Sequence, residues 1–209
     1  MASVDALLKV FKRGGTLEVS PSANEDGDLL VAYGLPPYAE MARQGTGWST
    51  MSTSAVAGLV VRPTTTAAFE IFNGYPFGGL SLVIDRLFHF NLVSTNVIEG
   101  FSGWYQVTTN KAAPTDGSFV VRGNTGQAYG GKVIAAASTT VVDSGWFPYG
   151  TAISKGAGGV VPFGAQTWEA QGRLIVPPQC SLCLHVVSSL VGQTFTQGAS
   201  WFERQLTIL

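Results

Sequence analysis

Two cysteines, Cys180 and Cys183, stand in the stretch GRLIVPPQCSLCLHVVSS (172–189), and His185 follows two positions later. A C-x-x-C spacing can be a redox dithiol or half of a tetrahedral zinc site. Both uses need the two sulfurs on one side of the chain. From Ser181 onward the polarity alternates with period 2 rather than 3.6, which predicts a strand. A strand sends successive side chains to opposite faces. Cys180 then shares a face with Leu182, Leu184 and Val186, and Cys183 with Ser181, His185 and Val187. The thiols are divided and can neither bridge nor hold one metal together. Redox C-x-x-C pairs normally open a helix beside a βαβ unit, which is not readable here. Structural zinc takes about four ligands, and His89 and Asp85 are the only distant candidates. Two structural cysteines are expected, with no metal and no cofactor.

Other chemistry-bearing patterns fail in similar ways. GQAYGGKV (126–133) has Gly126, Gly131 and Lys132 of a phosphate-cradling loop, but Val133 replaces the metal-binding hydroxyl. The residues after it read as a strand, whereas that loop must open a helix. NEDGD (24–28) clusters Glu25, Asp26 and Asp28 without the alternating ligands of an EF-hand, and reads as an acidic turn. His89 lies in LFHFNLV beside Phe88 and Phe90, the setting of a structural histidine. No serine sits in G-x-S-x-G. Glu70, Asp85, Glu99, Glu169 and Glu203 show no informative pairing. No enzyme is expected.

The aromatic residues carry the remaining signal. Trp104–Tyr105, Trp146–Phe147 and Tyr75–Phe77 are flanked by Gly, Ser or Pro, as at strand ends and loops. Such rings can anchor a protein interface, stack on sugars or cap the ends of a β body. Trp48, Trp104, Tyr105, Trp146 and Phe147 are the interface candidates, joined by Leu7 and Phe11 from the N-terminal segment.

The elements that must position these residues are mostly strands. Only SVDALLKVFKR (3–13) predicts a helix: Val4, Leu7, Leu8 and Phe11 form one stripe, with Ser3 to cap it and Gly14–Gly15 to end it. Residues 16–53 are irregular and read as an arm, with Trp48 its large anchor. Beyond residue 55, apolar runs of five to nine residues alternate with Gly, Pro, Asn and Asp, about ten strands in all. That pattern predicts an all-β antiparallel sandwich or jelly roll over 54–209, preceded by a short helix and extended arm over 1–53.

Charged residues make up 12% of the 209 positions, about half the usual share, and the net charge is -1. That balance argues against a nucleic-acid binder, which usually shows a basic face. So thinly charged a surface is poorly protected against association, which points to subunit contacts. The N-terminus lacks signal-peptide architecture, because Asp5 and Lys9 interrupt the apolar stretch. No apolar run approaches the ~20 residues of a bilayer span. Synthesis in a cytoplasm is expected.

The stretch LLVAYGLPPYAEMARQGTGWSTMSTSAVAGLVVRPTTTAAFEIFNG (29–74), with LIVPPQCSLCLHVVSS near the end of a Gly/Ser/Thr-rich body, resembles structural proteins of tailed-phage particles. Within that group the chain is most similar to capsid decoration, or cement, proteins. The resemblance implies a jelly-roll or sandwich body, often trimeric, with an N-terminal segment that grips the shell of major capsid protein, or a neighbour, in the virion. It implies no catalytic residues, cofactor, nucleic-acid partner or membrane. A carbohydrate- or receptor-binding module of a phage particle is the alternative.

Overall fold

β-Branched and aromatic residues fill the regular segments of this chain, and they form strands. The computed structural model describes residues 8–12, 15–19, 41–42, 44–94, 97–108, 114, 117, 119–142, 145–155 and 164–206, and among them are thirteen strands. They fall into two units, Met1–Pro37 and Tyr38–Leu209.

In the first unit, β1 (Leu8–Lys12) and β2 (Gly15–Val19) pair antiparallel, with Lys12 opposite Gly15. This corrects the helix expected over 3–13, at least from Leu8 onward; residues 3–7 lie outside the described residues. Two competing signals explain it. An isolated helix of about 11 residues is marginal, whereas two residues between Val/Leu/Phe-bearing segments is the preferred length of a hairpin connection.

The second unit contains β3 (Gly47–Met51), β4 (Val56–Ala57), β5 (Thr66–Asn73), β6 (Leu80–Val93), β7 (Ile98–Thr108) and β8 (Val121–Gly123). It continues with β9 (Val133–Thr140), β10 (Phe147–Lys155), β11 (Ala165–Val176), β12 (Ser181–Ser188) and β13 (Thr194–Gln205). Every pairing between them is antiparallel. One sheet has the order β10-β7-β12-β5-β9; the other has β11-β6-β13-β3-β8, with β4 also on β13. The all-β, two-sheet body expected from the sequence is what the chain forms. Its first sheet strand is β3, drawn from residues expected to belong to the arm.

Both sheets feed one core. Phe69, Ile71, Leu182 and Leu184 from the five-stranded sheet meet Leu82, Ile84, Leu87 and Trp201 from the other, all fully buried. A bulge at Asp85 in β6, opposite Ser200/Trp201 of β13, resets the phase of β6, so that Leu82 and Ile84 before it and Leu87 after it all reach this core; on β13, Ala199 and Trp201 share the core face and Arg204 is exposed. The five-stranded sheet also buries its outer face. Cys183 packs there with Ala67, Val141 and Trp146, while Cys180 packs with Leu182 and Leu184 inside. The cysteines are free and on opposite faces, as alternation along β12 requires.

Strand directions give the body two distinct ends. The β5–β6 and β11–β12 turns and the chain leaving β13 lie at one. The β6–β7 and β12–β13 connections and the segment after β4 lie at the other.

Candidate functional site

The residues picked from sequence are dispersed. Leu7 lies outside the described residues, and Phe11 is on β1, opposite Thr16. Trp48 is a core residue, its ring meeting Tyr129 edge-on at 4.7 Å between centroids. Trp146 is buried on the outer face of the five-stranded sheet, where its Nε1 donates to the Thr64 carbonyl at 2.8 Å. Trp104 is half-buried beside it and donates to Ser102 Oγ at 2.9 Å. Tyr105 stacks on Trp168 at 5.4 Å inside the body. Phe147, on the edge strand β10, is 59% exposed. Thus Trp48 and Trp146 have already used their apolar surface within the subunit.

Buried polar groups form hydrogen-bonded networks, one at His89 and one at Glu203. His89 is fully buried on β6, with the Tyr149 hydroxyl 2.9 Å from Nδ1 and 3.1 Å from Nε2. Burial holds its imidazole down to about 3, opposed by a hydrogen bond with Gln166. It therefore stays neutral near pH 7 and is no acid catalyst there. The neighbouring Gln166 accepts from the Gly103 amide at 3.2 Å. Burial also raises the Tyr149 hydroxyl. Nearer the other end, the Glu203 carboxylate accepts from Tyr129 at 2.6 Å and from Tyr75 at 3.0 Å. Burial and that carboxylate raise both phenols. Each network ties strands together within the fold. Among the described residues, no three His, Cys, Asp or Glu side chains converge as a metal site.

What sets the two ends apart is surface chemistry. At the end bearing the β6–β7 and β12–β13 connections, half of the exposed large apolar side chains of the described chain collect. Three segments bring them together. Leu59 inserts beside β12, its amide donating to Val186 O at 2.9 Å and its carbonyl accepting from Ser188 at 2.6 Å; this places Val60 and Val61 next to the β12–β13 turn. That turn presents Leu190 and Val191. Ser189 is tied to the start of β7 by bonds to and from Gly100, at 2.9 and 3.1 Å, which adds Val97 and Ile98. Ile153, opposite Gly100 on β10, borders a shallow groove of about 660 Å³ with Val187 and Ala152. The exposures are 66% for Val61, 61% for Ile98 and 77% for Val191.

At the opposite end is a cleft of about 600 Å³. Its floor is Ser81, Pro178 and Cys180, all buried; its rim is Phe77, Pro177, Gln179, Gln205 and Leu206. Asn73 fixes both turns that form it. Its Nδ2 donates to Leu80 O at 2.9 Å and Val176 O at 3.0 Å, and its Oδ1 accepts from the Tyr75 amide at 3.2 Å. Gln179 is held in the left-handed region at φ 62, its Nε2 on the Tyr75 carbonyl at 2.7 Å. Phe77 stands beside Gly78, itself at φ 80, and is the most exposed large apolar residue of the described chain at 86%. The sequence pointed to Tyr75–Phe77 only as one aromatic pair among several; nothing in it says that the β11–β12 turn completes a cleft beside it.

Comparison with protein-family models, with curated proteins and with solved structures finds no match in any of the three. Any functional reading therefore rests on the two ends of the body.

Proposed function

We propose that this chain is a non-enzymatic structural protein of a phage-type particle, a jelly roll that binds and stabilises a capsid through oligomeric contacts. The observation that carries the reading is the apolar end. Monomeric proteins seldom expose contiguous apolar patches beyond a few hundred Å². Here Val61, Ile98 and Val191 stand more than half exposed in one tract. Fully burying one such side chain contributes roughly 1.5–3 kcal/mol, so several meeting a partner supply a stable contact.

The jelly-roll reading is supported by the nesting of the strand pairs. β3 pairs with β13, β5 with β12, β6 with β11 and β7 with β10. That is one long hairpin of eight strands, rolled so that successive pairs alternate between the sheets; β8 and β9 are then an insertion in the β7–β10 connection. Jelly rolls of this kind build capsid and lectin domains. A closed homo-oligomer, a trimer, packed by the apolar end against its copies and the major capsid protein, follows from this reading, as does a place in the virion.

The deciding experiment is the solution mass by light scattering of the wild-type chain and of a double variant, Val61→Asp with Val191→Asp. Both positions are exposed, so the fold, followed by circular dichroism, is retained. The expected result is a trimer for the wild type and a monomer for the variant. A wild-type monomer, or an oligomer indifferent to both aspartates, would overturn the proposal.

A further inference from the structure

We infer that the cleft at the Phe77 end is a binding subsite for a neutral saccharide, an activity separate from assembly at the opposite end. The volume, about 600 Å³, is that of a small-ligand site. Its chemistry narrows the ligand. Among the described residues no charged side chain lines the cleft, so an anionic or cationic ligand would leave water without a counter-charge from them. The polar groups present are neutral and serve as both donors and acceptors. Gln179 spends its Nε2 on Tyr75, which leaves its Oε1 as an acceptor. Gln205 reaches the Gly78 carbonyl only at 3.4 Å and can turn to a ligand.

Ser81 is the most telling residue. It is fully buried, it lines the cleft, and its hydroxyl has no hydrogen-bond partner among the described residues. A buried hydroxyl left unpaired costs about 1–3 kcal/mol. A purely apolar occupant, such as a leucine from a partner protein, would seal that cost in. A sugar hydroxyl both donates and accepts, and removes it once the Ser81 Oγ, closed to solvent in the unliganded chain, turns into the cleft. Phe77 supplies the complementary surface: a ring 86% exposed, held out on a Gly-Gly turn, offers a flat face to the C–H side of a pyranose. Because Asn73 already fixes both turns, the walls pay little ordering entropy on binding.

The test is saturation-transfer NMR on the full chain with methyl glucoside, methyl galactoside and methyl N-acetylglucosaminide. Sialic acid serves as a charged probe and acetyl-leucine amide as an apolar one. The expected result is transfer to at least one neutral sugar, with little to either control. In Phe77→Ala the affinity for that sugar falls about tenfold, the loss of one aromatic stacking contact. Ser81→Ala weakens it further, and Phe147→Ala, which removes another exposed ring elsewhere on the body, leaves it unchanged. Phe77 is too exposed for its loss to unfold the body. No transfer to any neutral sugar, binding that survives Phe77→Ala, or stronger transfer to acetyl-leucine amide would each overturn the inference. None of these readouts depends on the oligomeric state, so the saccharide and assembly readings fail separately.

Discussion

His89 is buried with Tyr149, Gln166, Gly103 and Phe101 around it, and this setting makes stability depend on pH. Unfolded, its imidazole titrates near 6.5; folded, it is held down to about 3 by burial. Between those values the unfolded chain binds a proton that the native chain refuses. Stability is therefore full above about pH 6.5 and falls as pH drops through this window, at up to about 1.4 kcal/mol per pH unit. His185 acts in the same direction, because burial lowers its imidazole too. Urea midpoints measured at several pH values between 7 and 4 should decline more steeply for the wild type than for His89→Gln. Equal slopes would mean that the folded chain protonates His89 without penalty. The alternation around FHF reveals a structural histidine, but its partners come from β10 and β11, and no spacing in the sequence announces them. The cysteines are the opposite case: their division between faces depends on β12 alone, so it can be read locally.

Strands are legible where burial imposes a pattern and obscure where it does not. β5, β9 and β12 lie inside the five-stranded sheet or pack on its core, and their apolar runs mark them in the sequence. β10 (FPYGTAISK) is an edge strand with most side chains exposed and a bulge between Pro148 and Gly150, so no alternation marks it. The first half of β11 (AQTWEAQG) is an edge for the same reason. β3 (GWSTM) is short and polar in sequence, and its membership in the six-stranded sheet comes from β13 and β8 across the chain. β3 also sets where the chain can be cut. Removing residues 1–37 takes away a hairpin unit and leaves every strand of the two-sheet body. Removing residues 1–53 deletes β3 with it, strips Trp48 from the core and unpairs five residues of β13. Losing a core tryptophan alone costs about 3–5 kcal/mol. Thermal unfolding followed by near-ultraviolet circular dichroism should show a cooperative transition for the chain starting at residue 38. The chain starting at residue 54 should show none, or one at much lower temperature. A cooperative, undiminished transition in the shorter chain would mean that β3 is a dispensable edge.

At the scale of the whole molecule, composition and topology act together. A charge content of 12% describes a surface only on average; the strand order decides where the apolar remainder collects. Because β6, β10 and β12 all run toward the same end, Ile153 near the end of β10, Leu190 and Val191 after β12 and Ile98 at the start of β7 meet in one tract, with Val60 and Val61 beside them. Neither Val61 nor Ile98 looks unusual in its own segment; only the fold makes them neighbours. If that tract is covered by a second copy, folding and association are linked, and the unfolding temperature must rise with protein concentration. A monomer has no such dependence. Scanning calorimetry over a hundredfold range of concentration is expected to show an increase for the wild type and none for Val61→Asp with Val191→Asp. At the lowest concentrations, where the wild type dissociates, the two curves should converge, since both aspartates sit on surface exposed in the single subunit. Convergence at every concentration would deny the tract any role in association. A constant gap between the two, independent of concentration, would place the cost of the aspartates inside the subunit instead of at its contact with another.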